Sequence, residues 1–269
     1  MQWVMRCTRC RFRASTLVAG SSNEDADGVA EREVDTALGR IREANFETVV
    51  TRLKELGAGT RLLDVGCYRG TMLRVAARHG FEPAGIEPDE VSAEAARAGG
   101  AEVVHGFFPH ALPPGRRFDV ITFNDVFEHL PDVNGAMAAI EEHLVPGGLL
   151  AINLPNSRSA LYRCATQLAR LRLTQPLERL WQKNLRSPHL TYFTPDVLAA
   201  LAARHRFTEV HREDLSALRL TGLWSRLRLD KRETVAVSAA QYAGLIALYP
   251  CLRLFPSDSG LQIFRSAGG

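Results

Sequence analysis

The stretch TRLLDVGCYRG, residues 60–70, restricts the fold of this chain more than any other segment. Leu62, Leu63 and Val65 read as a short buried strand, Gly66 and Gly70 as a turn, and Thr71 as the start of a helix. A strand that runs through a glycine turn into a helix brings backbone amides close to a ligand at the carboxyl end of the strand. Asp64 stands at the strand tip, directly before the first glycine. A carboxylate there bears on which ligand can bind.

The segments that follow repeat the theme. Strands are predicted at 61–65, 83–87, 102–105, 119–123 and 149–154, and helices at 71–80, 89–98 and 133–144. Alternation at this spacing means βαβ units around a parallel sheet. Pro146, Gly147 and Gly148 end the preceding helix and lead into a buried strand. Ahead of the loop, Leu38, Ile41, Phe46, Val49, Val50, Leu53 and Leu56 fall mostly on one helical face, which Gly57 and Gly59 stop. This helix is predicted to lie against the sheet edge and help cover the ligand. Residues 155–195 break the rhythm, with arginine-rich amphipathic helices at 158–171 and 176–184. The segment SPHLTYFTPD then turns into a helix at 196–205, capped by Thr194 with Pro195 at its first position. Strands at 207–213 and 260–265 complete the pattern. Between them, residues 216–258 hold the apolar and basic piece LRLTGLWSRLRL and an apolar helix at 234–248. Two uses fit this segment: packing on the sheet or a partner chain, or contact with a membrane or lipophilic substrate.

Composition sets limits. The chain has 269 residues, 46% apolar and 23% charged, enough for one substantial core. A net charge of +3 gives no strong field for nucleic acid or membrane. Five scattered cysteines suggest reduced thiols and a cytoplasmic setting. The start lacks the apolar core of a signal peptide, and no run of 18 apolar residues occurs. Cys7 and Cys10 supply half of a four-ligand zinc site, so they read as a knuckle remnant or as free thiols. Residues 15–35 are small, polar and acidic, as in a linker. The predicted organisation is an N-terminal arm at 1–35 with the Cys-x-x-Cys knuckle remnant. A main domain follows at 36–269, with helical insertions at about 155–190 and 216–258.

Glu87 ends the second predicted strand, 23 residues after Asp64. An acidic residue about 20 residues after such a loop bonds ribose hydroxyls in a doubly wound sheet, so a nucleoside ligand is expected. A dinucleotide places its pyrophosphate at a Gly-x-Gly-x-x-Gly loop. Here the glycines are spaced Gly66-x-x-x-Gly70, and Asp64 beside them would repel a pyrophosphate. A ligand with an ammonium group suits this site better, and S-adenosylmethionine carries one in place of phosphates.

At these residues the chain resembles a known family. LLDVGCYRG is similar to motif I of class I S-adenosylmethionine-dependent methyltransferases, and GIEP to their acidic strand-two motif. FDVITFNDVFEHLPD and LVPGGLLAINLPN resemble the strand-four and strand-five motifs of the type 11/23 group, and HLTYFTPDVLAALAARHRF its later His-x-x-Tyr-Phe segment. The resemblance covers about residues 40–213 and includes relatives of the ubiquinone-pathway type. It implies that Asp64 and the backbone of Gly66, Cys67 and Gly70 face the methionine portion, and that Glu87 takes the ribose hydroxyls with Pro88 beside the adenine. It also implies that His105, Gly106 and Phe107 lie where adenine is read, and that Asn124 and Asp125 end strand four under the cofactor. Phe107 and Phe108 are equally compatible with simple core. Tyr68 departs from the family, which usually has glycine there; it must point away or stack beside the cofactor.

Methyl transfer from a sulfonium is an in-line displacement in which the enzyme mainly supplies alignment. A base is needed only for a poorly ionised acceptor. His129 and His189 are the candidate bases by the resemblance, each equally suited to fixing a loop, and Tyr192 either orients substrate or packs. Asp125, Glu128 and His129 resemble an acidic-acidic-His trio that can hold a divalent metal in ubiquinone-pathway O-methyltransferases, but Glu-His also occurs widely in the group without one, and no metal is expected here. After strand four, Asn124-Asp125-Val126-Phe127 replaces the Asn/Asp-Pro-Pro-aromatic motif of nucleic-acid base methylation, so no nucleic-acid partner is expected. The arginines at 158–186 read as a solvated helix face.

The predicted fold is an α/β, Rossmann-like, doubly wound, seven-stranded, mostly parallel sheet with helices on both faces. The predicted function is S-adenosylmethionine-dependent methyl transfer to a small-molecule acceptor, oxygen first. The alternative is a non-catalytic module that binds through 216–258; a nicotinamide-dependent oxidoreductase is disfavoured by Asp64 and the glycine spacing.

Overall fold

The computed structural model describes residues 3–18, 24–183, 185, 187–215, 223–224, 234–252 and 255–268. Seven strands form the main sheet: β3 (Arg61–Val65), β4 (Glu82–Glu87), β5 (Glu102–His105), β6 (Phe118–Asn124), β7 (Leu144–Pro155), β9 (Phe207–Leu215) and β10 (Ser259–Ser266), in the order β5-β4-β3-β6-β7-β10-β9. All neighbours are parallel except β10, which runs antiparallel between β7 and β9. The order reverses between β3 and β6. In such a sheet a ligand sits at that reversal, outside the carboxyl ends of the strands.

Alternating side chains of each strand serve two apolar layers. On one face Leu62, Val120, Leu149, Ala151, Leu261 and Ile263 pack against Val49, Val50 and Leu53 of α1 (Glu24–Glu55) and Met72, Val75 and Ala76 of α2 (Thr71–Arg78). On the other, Leu63, Ile121, Phe123, Leu150 and Ile152 pack against α4 (Val133–His143) and α7 (Pro195–Arg204). Phe123 is fully buried, and truncating such a side chain to alanine costs about 3–5 kcal/mol. The helix starts follow from local chemistry. Asp89 caps α3 (Glu90–Ala98) at Ser92 N, 2.8 Å, and Ser159 caps α5 (Ala160–Arg170) at Tyr162 N, 3.1 Å. Thr194 caps α7 at Val197 N, 3.3 Å, with Pro195 leading, as its sequence predicts.

Four expectations are corrected. The linker assigned to 15–35 is in part regular: Ser15 ends β2 (Arg13–Ser15), and α1 begins at Glu24. Helix α1 lies across a sheet face, not an edge, because Val49, Val50 and Leu53 meet residues of the central strands. Strand β7 starts at Leu144, before the Pro-Gly-Gly turn; pairing jumps from Phe118↔Leu144 to Val120↔Leu149, and the intervening loop carries Gly147 at φ 76°. The N-terminal hairpin of β1 (Val4–Arg6) and β2 is docked: β2 pairs with β8 (Thr191–Tyr192) in a separate three-stranded sheet. Cys7 and Cys10 are exposed in the hairpin turn.

The second insertion contains α8 (Val235–Leu252), longer than the predicted helix. Except for Leu223 and Trp224, the piece LRLTGLWSRLRL lies outside the described residues. No helix among the described residues is long and apolar enough to cross a membrane. Helix α6 (Gln175–Leu180) follows α5 in the first insertion.

Candidate active site

At the carboxyl ends of the central strands one face turns from apolar to polar at a common level. Leu62 gives way to Asp64, Val120 to Thr122 and Asn124, and Leu149 and Ala151 to Asn153. Asp64 Oδ1 accepts from Thr122 Oγ1 at 2.7 Å and Asn124 Nδ2 at 3.0 Å, tying β3 to β6. Burial pushes the Asp64 carboxyl up to about 7, against the pull of those two donors. Asp64 is thus a buried strut, not the open carboxylate its position suggests. A cation arriving beside it would favour its charged form.

The glycine loop is wired inward. The amides of Gly66 and Cys67 donate to Ile86 O at 2.8 and 3.1 Å, and Gly70 N donates to Cys67 O at 2.9 Å. Tyr68 N donates to Glu87 Oε2 at 2.7 Å. The Gly66, Cys67 and Gly70 amides thus bond within the protein, the first two to β4 and the third across the loop. Gly66 has φ 72°, and a Cβ there would come within 2.5 Å of Val126 Cγ2, so the turn admits only glycine. Tyr68 has φ 48°, in the left-handed region that favours glycine, and the Arg69 guanidinium lies 5.6 Å from its ring centroid. That conformation costs a non-glycine residue roughly 1–2 kcal/mol.

Glu87 is the centre of this half. Oε1 accepts from Asp89 N at 2.9 Å and Oε2 from Tyr68 N at 2.7 Å. Burial raises its pKa, and the two amides oppose the rise. Each oxygen keeps acceptor capacity for a hydroxyl, which fits a ribose diol. Because the amides of Gly66, Cys67, Tyr68 and Gly70 are spent inside the protein, these four donors are not offered to a phosphate. These residues fit an adenosine without phosphates, which is what S-adenosylmethionine carries. Beside Glu87, His105 Nε2 lies 3.0 Å from the carbonyl of exposed Pro88, and Gly106 N donates to Glu87 O at 3.0 Å. The two phenylalanines part ways. Phe108 packs edge-on against Phe123, centroids 5.6 Å apart, while Phe107 is 71% exposed.

The second half lies past β6. The turn Phe127–His129 is held by the SPHLTY segment: Leu190 N donates to Glu128 O at 2.9 Å, and His129 Nδ1 lies 2.9 Å from Pro188 O. A carbonyl only accepts, so Nδ1 carries the proton and Nε2 of the neutral ring keeps its lone pair. Burial lowers the His129 pKa, opposed by the Pro188 carbonyl. His189 is buried with its ring centroid 4.8 Å from that of His129; burial, then its neighbour, pushes it down to about 3. Glu128 is 1% exposed, and neither carboxyl oxygen has a partner among the described residues. Burial, then nearby Asp125, pushes its pKa well above the usual carboxylate value and so favours the neutral acid. Its Oε1 lies 3.9 Å from His189 Nε2.

Side-chain ligand atoms of Glu128, His129 and His189 all fall within 4.8 Å of one another. The trio suggested by the sequence differs by one member: Asp125 is exposed at φ 54°, and His189 takes its place. Reading along the chain also misses the N-terminal hairpin as part of this wall. Ser15 Oγ donates to His189 O at 3.0 Å, Ser15 N donates to Leu190 O at 2.8 Å, and Arg13 stands opposite Tyr192. Behind His189, Tyr192 packs on Trp181 and Tyr162 with centroids 4.9 and 4.5 Å apart. A tight Cys-x-x-Cys turn signals a hairpin, but nothing near it in sequence names its partner. Clefts lined by Arg117, Glu141 and His205, and by Gly59, Asp119 and Gly147, lie at the opposite, amino ends of the strands.

Comparison with known proteins agrees with this geometry. The family model described as methyltransferase domain matches residues 37–212. The ubiquinone biosynthesis O-methyltransferase of Xanthomonas euvesicatoria is 30% identical over 220 residues, which cover 78% of this chain and 84% of that protein. The protein of the same name from Bradyrhizobium diazoefficiens is 31% identical over 128 residues, 44% of this chain; the match spans 50% of that relative's length. A solved Thermotoga maritima structure, described as an S-adenosylmethionine-dependent methyltransferase and possible histamine N-methyltransferase, superposes with a TM-score of 0.57. It is 17% identical and covers 88% of this chain and 95% of its own, a likeness of fold.

Proposed function

The chain belongs to the class I S-adenosylmethionine-dependent methyltransferase family, and on that premise we propose that it methylates an oxygen of a small-molecule acceptor. Bound S-adenosylmethionine supplies a methyl carbon on a sulfonium, whose leaving group needs no acid. Glu87 holds the ribose hydroxyls, with Pro88, Gly106 and the exposed ring of Phe107 on the adenine side. Asp64, Gly66, Cys67 and Gly70 flank the amino-acid end, and Asn124 and Asp125 close it from β6. Tyr68 serves through its backbone amide, which fixes Glu87.

One observation carries the choice of oxygen: the bond from His129 Nδ1 to Pro188 O. It orients the ring and leaves Nε2 as a fixed acceptor for the acceptor hydroxyl's proton. The oxygen would take the methyl carbon as the sulfur–carbon bond breaks to leave a neutral thioether, and its proton would pass to Nε2 and then to solvent. A neutral amine would not need that base. His189, deeper and pushed down to about 3, is a positioning residue behind His129. The names of the relatives, as O-methyltransferases, support the same reading. The lipophilic contact predicted for 216–258 draws support from the exposed apolar side chains of Trp224, Val235, Ile246 and Phe255.

The test is transfer of labelled methyl from S-adenosylmethionine to a matched panel of phenols, alcohols and amines. Product on oxygen, sharply reduced in His129→Gln, is expected. Product on amines alone, or an unaffected His129→Gln variant, overturns the proposal.

A further inference from the structure

The N-terminal hairpin, α5 and α6 form one packed unit around Tyr162, Leu177, Trp181 and Tyr192, with Trp3 and Val4 against them. Trp3 meets Trp181 edge-on at 5.8 Å, and Arg13 lies 5.0 Å from the Tyr162 ring centroid. The outer surface of this unit differs from the rest of the molecule. Residues 1–18 and 155–190 carry eleven arginines and lysines and one acid, Glu178, whereas the whole chain balances at +3, so the remainder is net acidic. Among the described residues, exposed Arg6, Arg9, Arg11, Arg163, Arg172 and Arg179 form no ion pair with a carboxylate. The low overall charge conceals this polarity.

Apolar side chains stand inside this basic field. Helix α5 turns Tyr162 and Ala165 inward, while Leu161, Cys164, Leu168 and Leu171 recur at i, i+3, i+7 and i+10 along a second, outer stripe. Leu171 is 73% exposed, and Leu173, in the turn before α6, is 58% exposed. Met5 of the hairpin is 54% exposed. A helix face meant only for water has no reason to space leucines in this way.

We propose that this surface docks the protein on an anionic lipid bilayer, the leucines entering the interface and the arginines meeting lipid phosphates. Charge complementarity selects the occupant. A second copy would set arginine against arginine. A nucleic acid would meet the arginines, yet leave the leucine stripe without a role. The docking does not depend on which atom is methylated. It revises the solvated-face reading of the 158–186 arginines.

The test uses the full chain in sedimentation with vesicles of phosphatidylcholine alone, or with about one third phosphatidylglycerol. Binding is expected only with the anionic vesicles, weakening as salt rises, and falling about tenfold or more in Leu171→Glu/Leu173→Glu and in Arg163→Glu/Arg172→Glu. Cofactor binding serves as the control for intact folding; should a double variant fail it, Leu171→Gln alone replaces it, with a severalfold loss expected. No sedimentation with either vesicle, equal binding to both, or leucine variants that bind as well as the parent would overturn the proposal. The last outcome, joined to retention of a short RNA, would mark a polyanion surface instead.

Discussion

Two buried glutamates divide the site. Glu87 holds one backbone donor on each carboxyl oxygen, so its orientation is set before any ligand arrives. Glu128 has no hydrogen-bond partner on either oxygen among the described residues, and burial favours its neutral form. The half proposed for the cofactor is therefore pre-wired by the backbone of β3, β4 and the glycine loop. The half proposed for the acceptor is buried and leaves Glu128 and His189 Nδ1 without partners among the described residues, and an unmade bond there costs about 1–3 kcal/mol per group. A shared cofactor can be met by a finished site; an acceptor must complete its own.

Four variants test this contrast, and the largest effect belongs to the acceptor half. His129→Gln should lower kcat by about 100- to 10,000-fold while leaving S-adenosylmethionine affinity near that of the parent, read by steady-state kinetics and calorimetry. Its parent profile should lose activity as pH falls and His129 protonates, below the usual histidine range because burial lowers its pKa. Next, Glu87→Gln should weaken cofactor binding about 100-fold by calorimetry, through loss of charge-assisted bonds to the ribose. A loss below about threefold would break the claim that this half is pre-wired.

Glu128→Gln is a stability test. A carboxyl whose folded pKa is raised contributes stability that is fully present below its unfolded value, near 4.3, and lost as pH rises towards the folded value. The variant should match its parent near pH 4 and exceed it by about 1–3 kcal/mol at pH 8 in urea denaturation. No gain at pH 8 would mean that Glu128 is compensated in solution. The smallest effect is expected for Tyr68→Gly. Relief of the left-handed strain and the added freedom of the unfolded chain nearly cancel, leaving stability within about 1 kcal/mol. The amide to Glu87 survives, so affinity should hold within about threefold; a larger drop would show that the tyrosine ring itself contacts the ligand.

The same division explains what was legible in the sequence. Asp64, Gly66, Gly70 and Glu87 are close in the chain, and their spacing alone indicated strands, loop and a nucleoside ligand. What the spacing could not show was direction: the loop amides point to Ile86 and Glu87, and Asp64 is spent on Thr122 and Asn124. The acceptor wall was less readable. His129 and His189 were recognisable as residue types, but β8 has only two residues and pairs with a strand near the other end of the chain. Periodicity cannot reveal a contact of that span. Nor could whole-chain charge reveal the basic surface, because acidic residues elsewhere cancel it.

The bond from Ser15 to the carbonyl of His189 joins residues 174 positions apart. On a ribosome, the hairpin is therefore made long before its partner strand exists. At about 5–20 residues per second that interval is roughly 10–35 s. Throughout it, Trp3 and Phe12 lack the rings of Trp181 and Phe193 that they later meet. The wall around His189 can close only after the intervening strands of the sheet are synthesised, so a late-made part of the site depends on a segment translated 174 residues earlier.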